Sequence, residues 1–186
     1  MMEEGVGSEE QKNPGMHWGR VAIWLALFAF LVLLGVGLLR TQQGPIGVGA
    51  KVPDFELITF DDEIIRVQDL RGQVVVINFW ASWCSPCAQE AAELEQAYQL
   101  YKDRGVAFIG VDYSDTPREA RGYLVENAIT YPNGPDLGTS ISQAFRIRGV
   151  PETYVLGPDG TIVRVKIGPY LSLDAIVADI EYALRQ

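Results

Sequence analysis

The stretch Val21 to Leu39, VAIWLALFAFLVLLGVGLL, holds nineteen residues without a charge and is bracketed by Arg20 and Arg40. As a helix rising 1.5 Å per residue it would reach roughly 28 Å, close to the hydrocarbon thickness of a bilayer. The apolar core of a secretory leader is shorter, about 7 to 15 residues, and no small-x-small cleavage pattern follows the run. The expectation is therefore an uncleaved, single-pass transmembrane anchor over residues 21–39. Gly35 and Gly37 lie inside it without the GxxxG spacing of a helix-pairing face. Residues 1–20, rich in Glu, Gly and Ser, read as a disordered cytoplasmic tail, and residues 40–50, with TQQGPIGVG, read as a Gly/Pro-punctuated linker. In a chain of 186 residues this leaves residues 51–186 for one ordinary domain.

The charge balance narrows what that domain does. From residue 41 onward there are 12 Lys and Arg against 20 Asp and Glu, a net of −8. Nucleic-acid binding needs clustered positive charge, so that class is excluded. The flanks of the apolar run offer Lys12 and Arg20 on one side against Arg40 and Lys51 on the other, which barely sets an orientation.

The rest of the chain alternates strands and helices. Phe55 to Ile58 and Ile64 to Val67 flank an acidic turn and predict an opening hairpin. Gln73 to Phe79, QVVVINF, is a continuous apolar run suited to a central strand covered on both faces. An amphipathic helix is expected over Ala88 to Arg104, a second buried strand over Val106 to Val111, and a helix over Pro117 to Asn127 capped by Asp115 or Thr116. A short helix over Thr139 to Phe145 follows. Thr153 to Leu156 and Thr161 to Ile167 flank Gly157-Pro158-Asp159-Gly160 as a second hairpin, and Leu173 to Leu184 closes the chain as a helix. The predicted class is α/β, a central mixed sheet with helices on both faces, preceded by one transmembrane helix.

The only two cysteines, Cys84 and Cys87, sit where the central strand passes through a short loop into a helix. Unpaired N–H groups at a helix start favour an anion, so Cys84 is the thiol expected to ionise and attack. Cys87, in the same turn, is placed to resolve a mixed disulfide. Other readings of the pair fare worse. Zinc needs about four ligands, and the one histidine, His17, lies beyond the apolar run. Covalent haem attachment needs histidine after the second cysteine, where Ala88 stands. A purely structural disulfide closing so short a loop stabilises little. Two inert buried thiols fit poorly beside Trp83 and Pro86.

The run FWASWCSPC, with Gly149-Val150-Pro151-Glu152-Thr153 downstream, resembles the thioredoxin superfamily. It is most similar to the membrane-anchored, extracytoplasmic thiol-disulfide oxidoreductases of cytochrome c maturation, the ResA, TlpA and CcmG/DsbE type. The resemblance covers residues 49 to 186. It implies a thioredoxin-like fold, Cys84 as the attacking thiol, Cys87 as the resolving thiol, and Pro151 as a cis-proline beside them. It further implies that Trp83, Pro86, Val150, Pro151 and Glu152 face a client, Val150 by pairing its backbone with an extended segment. Ordinary thioredoxins carry a buried aspartate six residues before the first cysteine. Here that residue is Asn78, and Glu90, three residues after Cys87, matches the glutamate of the cytochrome-maturation branch. A partly buried Glu90 would take the proton from Cys87. Two departures stand out: Ala92 replaces a helix-kinking proline frequent in the family, and Ser85-Pro86 lacks the acidic residue of some relatives.

The resemblance therefore implies a protein-disulfide reductase with no cofactor beyond its own Cys84–Cys87 disulfide. Its expected partners are apocytochrome c, whose CxxCH thiols are reduced before haem attachment, and a membrane electron donor of the CcdA or DsbD type. A reducing dithiol outside the cytoplasm needs such resupply, and for that reason the domain is placed outside and the N-terminus inside. Two alternatives remain: a broad-specificity reductase or isomerase for exported proteins, and a non-catalytic module that holds an extended client in the Pro151 groove.

Overall fold

A computed structural model describes residues 16–41 and 44–186. It divides into two units, residues 1–43 and 44–186. The tail expected over residues 1–20 falls outside the described residues up to residue 15; from Met16 the chain is already helical. Helix α1, Met16–Thr41, contains the apolar run, and its stretch Trp18–Leu38 is long and apolar enough to cross a membrane. Its described side chains turn apolar groups outward all round, Trp24, Phe28 and Leu33 among them. A helix without a polar face suits a lipid surrounding.

In the second unit the apolar run after Gln73 becomes β3, Val74–Trp80, buried at every position. Such a strand must be covered on both faces. It pairs in parallel with β4, Val106–Asp112, and antiparallel with β6, Glu152–Leu156. The edges are β5, Asn133–Pro135, parallel to β4, and β7, Ile162–Ile167, antiparallel to β6, giving the order β5-β4-β3-β6-β7. The opening hairpin, β1 Glu56–Ile58 with β2 Ile64–Arg66, stands as a separate two-stranded sheet.

Strand alternation divides the core. Val75, Ile77 and Phe79 face one way, into a cluster with Phe55, Leu57 and Phe145 of α4, Ser140–Phe145. Val74 and Val76 face the other way, against Leu94 and Ala97 of α2, Ser85–Tyr101, and Ile176 and Ile180 of α5, Leu173–Ala183. Helix α3, Pro117–Glu126, brings Ala120 and Tyr123 to a third cluster at the end of β3, with Phe60, Trp80, Ala81 and both cysteines. The expected mixed sheet with helices on both faces is present.

Three details differ from the sequence reading. The linker expected over residues 40–50 belongs, from Gly44 on, to the domain: Ile46 is buried in the core, its N–H bonds Phe145 O, and Gly49 N–H bonds Ile162 O. Helix α2 begins at Ser85, not Ala88, because Cys84 adopts the extended N-cap conformation and Pro86 fits the first turn, where no N–H is needed. Strand β5 was not anticipated, since Asn-Gly-Pro carries loop chemistry; an edge tolerates proline. For α3 the cap is Thr116, in a reciprocal capping box with Glu119.

Candidate active site

The local sequence explains why the cysteines stand where they do. Strand β3 ends at Trp80, whose ring stacks on Tyr123 with centroids 4.5 Å apart and whose Nε1 donates to Asn133 Oδ1 at 2.8 Å. The loop that follows is tied down by Asp115: Ser82 N–H donates to Asp115 Oδ2 at 2.5 Å and Ser82 Oγ to Oδ1 at 2.9 Å. Cys84 N–H then donates to Ala81 O, and α2 starts. The fixed loop delivers Cys84 to the helix N-cap.

Cys84 and Cys87 form a disulfide, with Cα atoms 5.2 Å apart. The Cys84 sulfur accepts the Cys87 N–H at 3.1 Å. The same donor and the helix N-terminus would meet a thiolate on Cys84 after reduction, lowering the cost of its charge. Cys84 retains 4% exposure and Cys87 1%, so Cys84 is the one nearer the surface. Around it Trp83 is 64% exposed, and Ser85 and Pro86 are exposed as well. Trp83 and Pro86 are thus surface residues on either side of Cys84 in sequence.

Val150 is half-buried and packs against the cluster that contains both cysteines. The Val150–Pro151 bond is cis, as the resemblance implied, and Pro151 is buried. Pro151 O accepts the Gly168 N–H at 3.0 Å. Glu152 corrects an expectation. It is 1% exposed, and its Oε1 accepts the Arg148 N–H while its Oε2 accepts the Tyr154 hydroxyl, each at 2.8 Å. Strand β6 is covered on both faces, so its first side chain turns inward, and Glu152 shapes the loop before Pro151 instead of meeting a client.

Glu90 lies on the buried face of α2 together with Cys87, Ala91 and Leu94. Residues three apart on a helix are neighbours, so Glu90 shares one face of α2 with the resolving cysteine, one turn further on. Its Oε1 accepts from Asn78 Nδ2 and its Oε2 from the Tyr170 N–H, each at 2.8 Å. Burial dominates its acidity and lifts it to about 7, while the two hydrogen bonds and Lys166 pull it down and Glu93 adds to the rise. A carboxylate poised there suits proton exchange at neutral pH. A second buried acid, Asp112 at the end of β4, is pushed up to about 8 by burial and by neighbouring Asp115 and Asp136. Among the described residues no group of three or more His, Cys, Asp or Glu is placed to hold a metal ion.

Sequence reasoning missed the clamp on Glu90. Asn78 was seen only as a missing acid, and Thr153, which Asn78 Nδ2 also reaches at 2.9 Å, was not singled out. The spacing of Asn78, six residues before Cys84 on an apolar strand, was the available signal. Tyr170 contributes a backbone N–H, for which no side-chain pattern exists.

Comparison with known proteins agrees with this geometry. The sequence pattern described as the AhpC/TSA family matches residues 48–165. The thiol-disulfide oxidoreductase ResA of Oceanobacillus iheyensis is 28% identical over 179 residues, 94% of this chain and 93% of that protein. ResA of Bacillus subtilis is 27% identical over 149 residues, 80% of this chain and 83% of the relative. A crystal structure of a thiol:disulfide interchange protein of the thioredoxin family from Chlorobium tepidum superposes with a TM-score of 0.68 at 25% identity, over 75% of this chain and 99% of that one.

Proposed function

This chain belongs to the AhpC/TSA family, and we propose that it is a membrane-anchored reductase of protein disulfides serving cytochrome c maturation. At the coarser level it is a thiol-disulfide oxidoreductase with a thioredoxin-like fold and a Cys84–Cys87 redox pair. The observation that carries the finer reading is the buried Glu90 on the Cys87 face of α2, the position at which the cytochrome-maturation branch keeps its glutamate.

The reaction balances without a cofactor. In the reduced protein the Cys84 thiolate attacks a client disulfide; one client sulfur joins Cys84 and the other leaves as a thiolate that takes a proton from water. Glu90 then accepts the Cys87 proton. The Cys87 thiolate attacks Cys84 Sγ, closes the Cys84–Cys87 disulfide and expels the second client sulfur as a thiolate. Two electrons have passed to the client, whose CxxCH cysteines in an apocytochrome c would then be free for haem. A membrane donor of the CcdA or DsbD type restores the dithiol. Helix α1 anchors the domain beside both partners, raising their effective concentration. The domain lies outside and the N-terminus inside, because only there does a dedicated reductant have disulfides to oppose.

The test is genetic and chemical. Cells carrying Cys84→Ser are expected to lose haem-stained c-type cytochromes, and an external dithiol should restore them. Normal cytochromes in that strain would remove the maturation role and leave the general reductase. Normal cytochromes with both cysteines changed to serine, alongside loss on deleting the whole protein, would instead identify a client-holding module.

A further inference from the structure

Glu90 is held on both oxygens, and each donor leads back to the Pro151 loop. Asn78 Nδ2 donates to Glu90 Oε1 at 2.8 Å and to Thr153 Oγ1 at 2.9 Å. An amide nitrogen has two hydrogens, so this group is fully committed. Thr153 is the cross-strand partner of Asn78 in the β3–β6 ladder and stands two residues after Pro151. On the other oxygen, Tyr170 N–H donates at 2.8 Å, and two residues earlier Gly168 N–H bonds Pro151 O at 3.0 Å. Asn78 is 3% exposed and Glu90 1%, so both stand away from bulk solvent.

We propose that Asn78 is a positioning residue for proton transfer at Cys87: its amide holds the Glu90 carboxylate on the Cys87 face of α2 and fastens it, through Thr153, to the strand that carries the Pro151 loop. The proposal rests on the reading of Glu90 as the proton acceptor.

Electrostatics explains why a neutral amide stands here. A buried carboxyl without donors keeps its proton, whereas donated hydrogen bonds favour the anion. The ionisable groups around Glu90 are Glu93 from its own helix and Lys166 from β7, which act on it, and Tyr123 from α3, Tyr131 before β5 and Tyr170, whose ionisation its charge opposes. Lys166 is the one cation among these, so the two donors carry much of the balance against burial. An aspartate at 78, as in ordinary thioredoxins, would turn an acceptor toward Glu90 and make the two acids compete for one proton. The geometry suits a site whose acid has moved from the strand to the helix. It also places the acceptor and the client-facing loop on one hydrogen-bonded frame, so that a shift of β6 or of Gly168–Tyr170 reaches the carboxylate directly.

The experiment uses the full chain in detergent, reduced, with a disulfide-bonded CxxCH peptide as client. The rate of the resolving step is followed against pH for wild type, Asn78→Asp and Asn78→Ala, each with and without Glu90→Gln. In parallel, the Glu90 carboxyl carbon is titrated by NMR in protein labelled only at glutamate. The Asp variant preserves shape and guards against loss of folding in the Ala variant. Both readouts should move their midpoint upward by about one pH unit, a tenfold loss of proton-accepting Glu90 at fixed pH. The rate shift of Asn78→Ala, which adds no acid of its own, should vanish in the Glu90→Gln background. An unmoved Glu90 midpoint in folded Asn78 variants, or an Asn78→Ala rate shift that persists without Glu90, would overturn the positioning role. If wild type and Glu90→Gln share one pH profile, Glu90 is not the acceptor and both readings fall. If they differ while the Asn78 variants follow wild type, only the positioning role falls.

Discussion

Glu90 sits in the fold at a cost that depends on pH. Its acidity in the folded chain lies near 7, against an ordinary 4.5, because burial outweighs the bonds from Asn78 and Tyr170. Between those values the folded protein holds a proton that the unfolded chain has released, so stability falls as pH rises through the window and levels off above it. Asp112, lifted from 3.8 to about 8, acts in the same direction. Urea unfolding of the oxidised protein is therefore expected to give lower stability at pH 8 than at pH 5. Glu90→Gln should flatten part of that slope, by on the order of 3 kcal/mol at most for a shift of this size. A slope identical in the variant would contradict this account of Glu90. At this scale the sequence was informative where chemistry is local. Cys84, Cys87 and Glu90 lie within one helical turn or two, and Pro151 announces itself by type. Glu152 was misread because its neighbour Pro151 faces the site, whereas strand alternation and cover on both faces of β6 turn it inward. The Tyr170 N–H reaches Glu90 from 80 residues away and leaves no mark in composition.

Among elements, the periodic ones were legible, as were the short β1–β2 hairpin and α4, whereas β5 was not. Strand β3 was evident from its apolar run, and α3 from Thr116 and Pro117; the capping box there predicts that Thr116→Ala costs about 1 kcal/mol of unfolding free energy. Strand β5 was hidden because tertiary packing, not propensity, makes it a strand. That packing is close. A Cβ on Gly110 of β4 would lie 1.6 Å from Asn133 Oδ1 and 3.0 Å from Trp80 Nε1. Gly110→Ala should therefore displace Asn133, break its bond with the indole, and destabilise by roughly 1–3 kcal/mol. Because Trp80 packs in the cysteine cluster, the same variant should alter its fluorescence in both redox states. Unchanged stability and emission would show that the β4–β5 contact gives way more easily than this.

At the level of the whole molecule the apolar helix α1 and the redox domain are separable in sequence, and the boundary is finer than composition suggests. Gly and Pro made residues 40–50 read as linker, yet Ile46 is a core residue and Gly49 pairs with Ile162. A fragment of residues 44–186 is expected to fold in solution with a cooperative melt. A fragment of residues 51–186 should be less stable by about 1.5–3 kcal/mol, the value of burying one large aliphatic side chain. Equal melts would place the boundary after residue 50. Removing α1 should release the protein from membranes without changing its thiol chemistry, since both cysteines, Glu90 and the Pro151 loop all belong to residues 44–186.

The claim on which everything turns is that Cys84 attacks and Cys87 resolves. Reduced Cys87→Ser and Cys84→Ser proteins, each mixed with a disulfide-bonded CxxCH peptide and read by intact mass under non-reducing conditions, test it most directly. The account predicts a dithiol-sensitive adduct through Cys84 in the first variant and little or none in the second. An adduct in the second variant alone, or in neither, would contradict it.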